Sequence, residues 1–394
     1  MAVRPLPEVI GGADRGHGRV VAHARVVYDG LGLPREDGAV TVQLAPGVAS
    51  VVRTSAMTEA RSTYPDAEVV ECGFAVSPPV VNAHTHLDLS AMPHTPGSYA
   101  GFIGAVVAHA RGGHRGLAAA KQGVAELGAA GTRVVGDIVT DAATMEYLLG
   151  QDALTGVAYW EVFAPRPEDA DAVFAATVQA VARFRALERP GRMRVGLSPH
   201  TPHTVSAPLL VRLAAYAAAE RLPLAIHVAE SPAELELHLR GTGELAESLA
   251  RAGFAFAATG VRPVRYLHDL GVLAAGPTLV HGVHVDDDDA RLLARVGAVV
   301  VHCPRSNAAL ECGTFPWTLY AKHGVEVAFG TDSRGSSPDL DVTREVAEAL
   351  AVQGAKLNPR AALRAAVKGG YKALGMQPPR VVRGAPAADL VAWD

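Results

Sequence analysis

The sequence predicts an α/β protein: a (β/α)8 TIM barrel with a small β-sandwich-like satellite domain built from both chain ends. Short apolar runs alternate eight times with long Ala- and Leu-rich amphipathic stretches, a pattern typical of parallel strands covered by helices. Short β-branched runs separated by turn residues flank this region on both sides. We expect the barrel to span residues 76–375, because eight such units over that length favour a barrel over an open sheet.

The two chain ends are expected to behave differently from the barrel. Residues 1–18 are rich in glycine, proline and arginine and predict a flexible leader. Residues 19–75 and 376–394 predict the small β-domain, because segments such as 19–28 and 38–44 are short, β-branched and bounded by turns.

Composition limits the classes of function. The chain has 394 residues, is 49% hydrophobic and carries a net charge of −4 without a basic tract, so neither nucleic acid nor an anionic membrane is expected as a partner. No apolar run approaches the roughly 18 residues of a membrane-spanning helix. Cys72, Cys303 and Cys312 are widely spaced and form no CxxC, which favours a reducing cytoplasm. The sequence does not decide between a monomer and a homodimer.

Potential metal ligands fall where the barrel strands should end, which is where barrel enzymes place their chemistry. His84 and His86 are two residues apart, so on an extended strand both point into one cavity. Two surface histidines would be the alternative if this motif stood alone. Imidazole suits zinc and related metals, but two nitrogens do not complete a four-coordinate site. The expected strand ends lie near His84, Asp137, Glu161, Pro199, His227, His281, His302 and Asp332.

Three later segments supply further candidates. Apolar runs end at His227 and at His281, and Glu230 follows three residues after the first of these. A fourth run ends with a glycine, a threonine and Asp332. One imidazole at a strand end means little, but four chemically suited strand ends in one chain favour a shared site.

Five motifs combine these candidates: Asn-Ala-His-Thr-His at 82–86, His-x-x-Glu at 227–230, His-Gly-Val-His at 281–284, Cys-Pro-Arg-Ser-Asn at 303–307 and Gly-Thr-Asp-Ser at 330–333. In this order they resemble the amidohydrolase superfamily, in particular its nucleoside and nucleobase deaminases and chlorohydrolases. The resemblance covers roughly residues 20–394 and implies a metal bound by His84, His86, His227 and Asp332. It also implies that Glu230, His281 and Asp332 handle protons around a water whose pKa the metal lowers from 15.7 to about 7.

The number of metal ions follows from lysine usage. Many members of the superfamily hold two metals bridged by a modified lysine from the fourth strand. This chain has no lysine between Lys121 and Lys322. We therefore expect one divalent metal per chain, zinc or iron.

Several residues are expected to contact a small-molecule substrate. His200 lies in a segment that resembles the family's Pro-His-x-Pro-Tyr motif, with His203 in place of the tyrosine; the alternative is a histidine that caps the next helix. Glu161 lines the pocket or makes a structural hydrogen bond. The long connection from Ala91 to about Gly113 predicts a lid that covers the substrate with Phe102, or a loop packed on the barrel rim.

Arg305 and Arg334 follow barrel strands and could hold an acidic end of the substrate, because arginine binds carboxylates through a fixed fork. The alternative is that both are ordinary solvated loop arginines.

Residues 84–90 read His-Thr-His-Leu-Asp-Leu-Ser, which is similar to the 6-aminodeoxyfutalosine deaminases of the menaquinone pathway, although Asp88 stands where these usually carry glutamate. The resemblance implies an adenine nucleoside bearing a benzoate as substrate. The alternatives are deamination of adenosine, 5′-methylthioadenosine, S-adenosylhomocysteine, guanine or cytosine, and triazine dechlorination. A non-catalytic assembly barrel is a different class, but such relatives lose ligands that this chain keeps.

Overall fold

The computed structural model describes residues 3–11 and 17–394. The strands are β1 Val3–Pro5, β2 Gly18–Val27, β3 Arg35–Ala45, β4 Val48–Ala56, β5 Glu68–Glu71, β6 Ala75–Ser77, β7 Val81–Thr85, β8 Val134–Val139, β9 Thr155–Val162, β10 Met193–Pro199, β11 Ala225–Val228, β12 Thr278–His281, β13 Val299–His302, β14 Glu326–Phe329 and β15 Val391–Trp393. The helices are α1 Leu6–Val9, α2 Met57–Thr63, α3 Tyr99–Arg111, α4 Leu117–Ala129, α5 Ala142–Gly150, α6 Ala170–Arg185, α7 Ala207–Glu220, α8 Pro232–Arg240, α9 Glu244–Arg251, α10 Pro263–Asp269, α11 Asp287–Val296, α12 Pro304–Ala309, α13 Trp317–His323, α14 Val342–Gln353, α15 Pro359–Arg364 and α16 Gly370–Ala373.

The strands from both chain ends form one seven-stranded sheet. Its order is β1-β15-β6-β2-β3-β4, and β5 pairs with β2 off this path. The first half of β2 pairs with β5 and its second half with β6, so the long strand serves two neighbours in turn. A separate apolar cluster lies against this sheet, which gives the small domain its own core. Strand β6 runs through Ser77, across the boundary expected after residue 75.

The expected flexible leader 1–18 is wrong for the residues that the structure describes. Strand β1 pairs antiparallel with β15, with Val3 opposite Trp393. Leu6 and Ile10 are fully buried in the core of the small domain. The segment is ordered because burial of these apolar side chains stabilises it. Its glycines and prolines alone predict a flexible segment. Residues 1–2 and 12–16 of the expected leader lie outside the described residues.

The eight parallel strands of the barrel fall into two halves of four. Strands β7 to β10 form one parallel sheet in chain order, and β11 to β14 form another. Single bridges join the halves on both sides, between Leu197 and Leu224 and between Thr85 and Asp332. The predicted (β/α)8 barrel is confirmed.

The barrel strands are almost entirely buried, as expected where helices cover one face and side chains fill the interior. One continuous apolar core includes residues of all eight strands. Each observed strand ends within a few residues of its predicted end, because the change from apolar to polar residues marks the rim of the barrel. No described helix has the length and hydropathy needed to cross a bilayer.

A long connection follows β7 at the mouth of the barrel. It begins with a short 3₁₀ turn, Leu87–Leu89, and then contains α3, which packs against residues of α8 and α9 in a separate apolar cluster. Ser98 caps the first turn of α3 by accepting a hydrogen bond from the Gly101 amide. The segment is therefore a helix laid across the mouth of the barrel.

Candidate active site

Three histidines and one aspartate converge at the carboxyl ends of β7, β11 and β14. Nε2 of His84 lies 3.5 Å and Nε2 of His86 lies 3.4 Å from Oδ1 of Asp332. Nε2 of His227 lies 3.4 Å from Nε2 of His86. All four side chains are buried.

This spacing fits one divalent metal ion. Two donors bound tetrahedrally to zinc at about 2.1 Å lie about 3.4 Å apart. Nε2 of His84 is buried and has no hydrogen-bond partner among the described residues. Nε2 of His86 and Nε2 of His227 face each other, and two lone pairs at this distance repel unless a proton or a cation lies between them. The donor set therefore fits the zinc or iron ion that the sequence predicts.

Neighbouring groups fix the orientation of the donor atoms. Nδ1 of His227 donates to the carbonyl oxygen of His200 at 3.0 Å, which leaves Nε2 with the lone pair. Oδ2 of Asp332 accepts from the hydroxyls of Ser306 and Ser336 at 2.7 and 2.8 Å, so Oδ1 faces the histidines. Such partners hold ligands in place before a metal binds.

The protonation of the histidines also suits metal binding. Burial, followed by the charge of His84, holds the pKa of His86 and that of His227 well below the ordinary value. Both imidazoles are therefore neutral at pH 7, which is the form that binds a metal.

Glu230 and His281 form a buried pair of titratable groups beside this cluster. Oε1 of Glu230 lies 3.4 Å from Nε2 of His281. Burial, then the charges of Asp332 and Glu234, raises the pKa of Glu230 well above its usual value, which favours the protonated form of this carboxyl.

His281 is held as the neutral partner. Burial lowers the pKa of His281 to about 4. Its Nδ1–H donates to Oδ1 of Asn307 at 3.0 Å, which leaves the lone pair on Nε2 toward the cavity. A buried carboxyl with a raised pKa thus lies next to a buried imidazole with a lowered pKa.

The backbone at these strand ends adopts an uncommon conformation. His281 and Asp332 have φ values of +72° and +60°, and Ala229, next to Glu230, has +54°. Non-glycine residues pay about 1–3 kcal/mol for such geometry, and they persist where surrounding structure enforces it. The conformation turns the His281 and Asp332 side chains inward.

A cavity opens from the cluster toward α3, and three predicted substrate contacts line it: Phe102, Glu161 and His200. Nδ1 of His200 is bonded to the Thr204 hydroxyl at 2.8 Å, and burial lowers the pKa of His200. Oε1 of Glu161 is buried without a hydrogen-bond partner among the described residues, as expected for a group that a ligand would engage.

The prediction for Arg305 is wrong. Its Nε donates to Oε1 of Glu345 at 2.6 Å, and its NH2 donates to Oδ1 of Asp339 at 2.9 Å and to two main-chain carbonyls. Glu345 is fully buried, and its charge requires this guanidinium. Arg305 therefore holds the loop after β14 and has no free fork for a substrate.

Arg334 is also misplaced for substrate contact. Its Nε lies 3.3 Å from Oε2 of Glu126 on α4, and it does not line the cavity.

The cavity contains an arginine that sequence reasoning missed, Arg115. Its Nε donates to Oδ2 of Asp88 at 2.8 Å, and its NH2 lies 3.9 Å from Oε2 of Glu161. Asp88 is fully buried and also accepts from the Thr140 hydroxyl at 2.6 Å. The sequence did contain one signal for Arg115. An acidic residue directly after a buried strand, such as Asp88, requires a cationic partner when it is buried.

Tyr99 is the second residue missed. It begins α3 and lines the cavity. Burial, followed by the nearby charge of Glu230, raises the pKa of the Tyr99 hydroxyl well above its usual value. Helix α3 therefore brings a polar group near Glu230 in addition to apolar cover from Phe102.

The fold and this site define a class of protein. The sequence model of the Amidohydrolase family matches residues 75–394, and the chain belongs to that family. The matched residues include the four donor residues at the strand ends, together with Glu230 and His281.

Individual relatives narrow the class. The chain is similar to the aminodeoxyfutalosine deaminase of Deinococcus radiodurans, with 45% identity over 379 residues that cover 94% of this chain and 89% of the relative. Its fold is that of Helicobacter pylori aminofutalosine deaminase in complex with methylthio-coformycin, with a TM-score of 0.75, 20% identity and coverage of 95% and 92% of the two chains. An adenosine deaminase from Xanthomonas campestris with bound zinc shares the fold, with a TM-score of 0.65, 24% identity and coverage of 94% and 83%. These relationships place the chain among hydrolytic deaminases.

Proposed function

We propose that this protein hydrolyses 6-aminodeoxyfutalosine to ammonia and the 6-oxo nucleoside, as a step toward menaquinone. The observation that carries the proposal is the 45% identity to the Deinococcus aminodeoxyfutalosine deaminase over nearly the whole of both chains. The converging donor atoms and the buried acid beside them support the reaction type.

His84, His86, His227 and Asp332 are proposed to hold one metal ion, with zinc favoured by three imidazoles and one carboxylate. When bound, the ion supplies Lewis-acid activation of the attacking water. Strand β10 carries no lysine that could bridge a second ion there, which supports a mononuclear site.

The chain's own groups divide the proton transfers. Protonated Glu230 delivers its proton to a ring nitrogen of the purine, which makes the adjacent amino-bearing carbon electrophilic. Oδ1 of Asp332 accepts a proton from the water during attack. Nε2 of His281 accepts a hydrogen bond from that water and orients it, because its other nitrogen is committed to Asn307.

The walls of the cavity support a nucleoside over a bare base. Glu161 and His200 line the cavity and are proposed to bind sugar hydroxyls, and Phe102 of α3 contributes apolar cover. Arg115 is the arginine of this cavity, and it replaces Arg305 and Arg334 as the proposed partner of an acidic substituent.

The proposed location is the cytoplasm. Cys72, Cys303 and Cys312 are unpaired and buried, which supports a reducing compartment.

The test measures the deamination of a panel of substrates by ammonia release and by ultraviolet absorbance. It compares 6-aminodeoxyfutalosine with adenosine, 5′-methylthioadenosine, S-adenosylhomocysteine, guanine and cytosine. The proposal requires the highest kcat/KM for 6-aminodeoxyfutalosine. A higher value for any other member of the panel would assign the site to that substrate.

A further inference from the structure

A second group of potential metal ligands lies outside the site described above. It consists of His203, in the segment after β10, and Glu234 and His238 on α8. Their exposed fractions are 4%, 1% and 0%. One donor atom from each lies within 4.8 Å of the other two. Glu234 and His238 are four residues apart, so they project from the same face of the helix.

Each of these three side chains has one polar atom without a partner. Nδ1 of His203, Oε1 of Glu234 and Nε2 of His238 are buried and have no hydrogen-bond partner among the described residues. Buried polar atoms in native proteins are nearly always paired. Three unpaired donor or acceptor atoms that face one another therefore indicate a missing common partner.

The remaining polar atoms of Glu234 and His238 are held in place. Oε2 of Glu234 accepts from the Glu230 amide at 2.7 Å. The Thr259 hydroxyl lies 3.2 and 3.1 Å from the carbonyl oxygens of His238 and Val261, to which it can donate its hydrogen. Its oxygen then accepts from Nδ1–H of His238 at 3.3 Å, which leaves the lone pair on Nε2. This is the arrangement of partners around metal-binding histidines.

A proton alone does not satisfy the cluster. Burial raises the pKa of Glu234 to about 7, lowers that of His238 to about 3 and holds that of His203 well below its ordinary value, so both imidazoles are neutral and the carboxyl is about half protonated at pH 7. A proton on Oε1 of Glu234 would still be unpaired, because Nδ1 of His203 lies 4.0 Å away.

We propose that His203, Glu234 and His238 form a second divalent-metal site, suited to zinc. Three protein donors of two imidazoles and one carboxylate are a common zinc set with water as the fourth ligand. Donors on a zinc ion lie about 3.4 Å apart, so only small side-chain rotations are needed. His203 also lines a neighbouring cavity of about 260 Å³, which has room for the water.

The position of this site gives it a consequence for Glu230. The ion would fix Oε1 of Glu234, whose Oε2 holds the Glu230 amide. The inference does not depend on the substrate of the enzyme. It raises the expected number of ions from one to two per chain, in separate sites.

The experiment counts metal ions. Tag-free protein is stripped with a chelator, reloaded with Zn²⁺ alone, freed of excess metal and analysed for zinc per chain. The variants are His238→Leu, His203→Tyr and His86→Ala, with exposed His268→Leu as the matched control. His203→Tyr introduces the residue that the resembling motif usually carries, so it provides a second variant should His238→Leu fold poorly.

We expect two zinc ions per chain in the wild-type protein and in His268→Leu. We expect one zinc ion per chain in His238→Leu, in His203→Tyr and in His86→Ala. Cobalt substitution separates the sites: His86→Ala should retain a visible band of four-coordinate Co²⁺, and His86→Ala/His238→Leu should lose it. Two ions in both His238→Leu and His203→Tyr, or no ion in His86→Ala, would overturn the proposal.

Discussion

Oε1 of Glu230 lies 3.4 Å from Nε2 of His281, on the same side of the barrel mouth as the proposed metal ligands. Burial raises the pKa of the Glu230 carboxyl and lowers the pKa of His281 to about 4, which keeps the imidazole neutral at pH 7. Because Nδ1–H of His281 donates to Asn307, the lone pair of His281 is on Nε2, the atom that faces the cavity. The proton transfers proposed for the two groups depend on this pairing.

Replacing Glu230 by glutamine should reduce kcat by roughly 10²-fold or more while the metal content is unchanged, because an amide cannot deliver the proton. Steady-state kinetics and zinc analysis of Glu230→Gln check this. Glu244→Gln, at an exposed position on α9, is the control. Near-normal turnover in Glu230→Gln would remove this residue from the mechanism.

Tyr99→Phe should lower kcat/KM by about 2- to 13-fold, which corresponds to one hydrogen bond worth about 0.5–1.5 kcal/mol. The effect is expected because the Tyr99 hydroxyl and the Glu230 carboxyl both line the cavity and influence each other's pKa. Tyr64→Phe, in the small domain, should leave the kinetics unchanged. An effect as large as that of Glu230→Gln would mean that Tyr99 transfers a proton itself.

Arg115→Lys should narrow the preference for 6-aminodeoxyfutalosine over adenosine by roughly 10- to 150-fold, since a contact to a charged group is worth about 1.5–3 kcal/mol. Lysine retains the charge next to buried Asp88 but loses the planar fork. The ratio of kcat/KM for the two nucleosides measures the change, with Arg334→Ala as control. If the ratio is unchanged in Arg115→Lys, another group recognises the acidic end.

Arg305→Ala should destabilise the protein by about 3–5 kcal/mol, because it leaves the buried carboxylate of Glu345 without its partner. Thermal or denaturant unfolding checks this value. The ratio between the two nucleosides should stay constant in the protein that remains folded. A stable variant with altered substrate preference would restore the role that the sequence predicted for Arg305.

The strand-end residues could be predicted from the sequence because each lies where an apolar run ends, a local property of the chain. Arg115 and Tyr99 could not, because they reach the cavity through the path of α3 and its flanking loops, which local periodicity does not specify. The error over Arg305 has the same origin. Its partner Glu345 is 40 residues further along the chain and meets it only in the folded protein.

The two half-barrels of four strands give the proposed ion a mechanical role. His84 and His86 come from the first half, and His227 and Asp332 come from the second. The amide of Asp332 donates to the His84 carbonyl at 3.1 Å across one junction. The amide of His227 donates to the His200 carbonyl, also at 3.1 Å, across the other.

An ion bound by all four ligands would therefore link the first half-barrel to the second. Because the complete ligand set exists only when both halves have met, metal binding favours the assembled barrel over any state in which the halves separate. Amide hydrogen exchange at His227 and Asp332 should accelerate when the metal is stripped, whereas exchange within the small domain should not change.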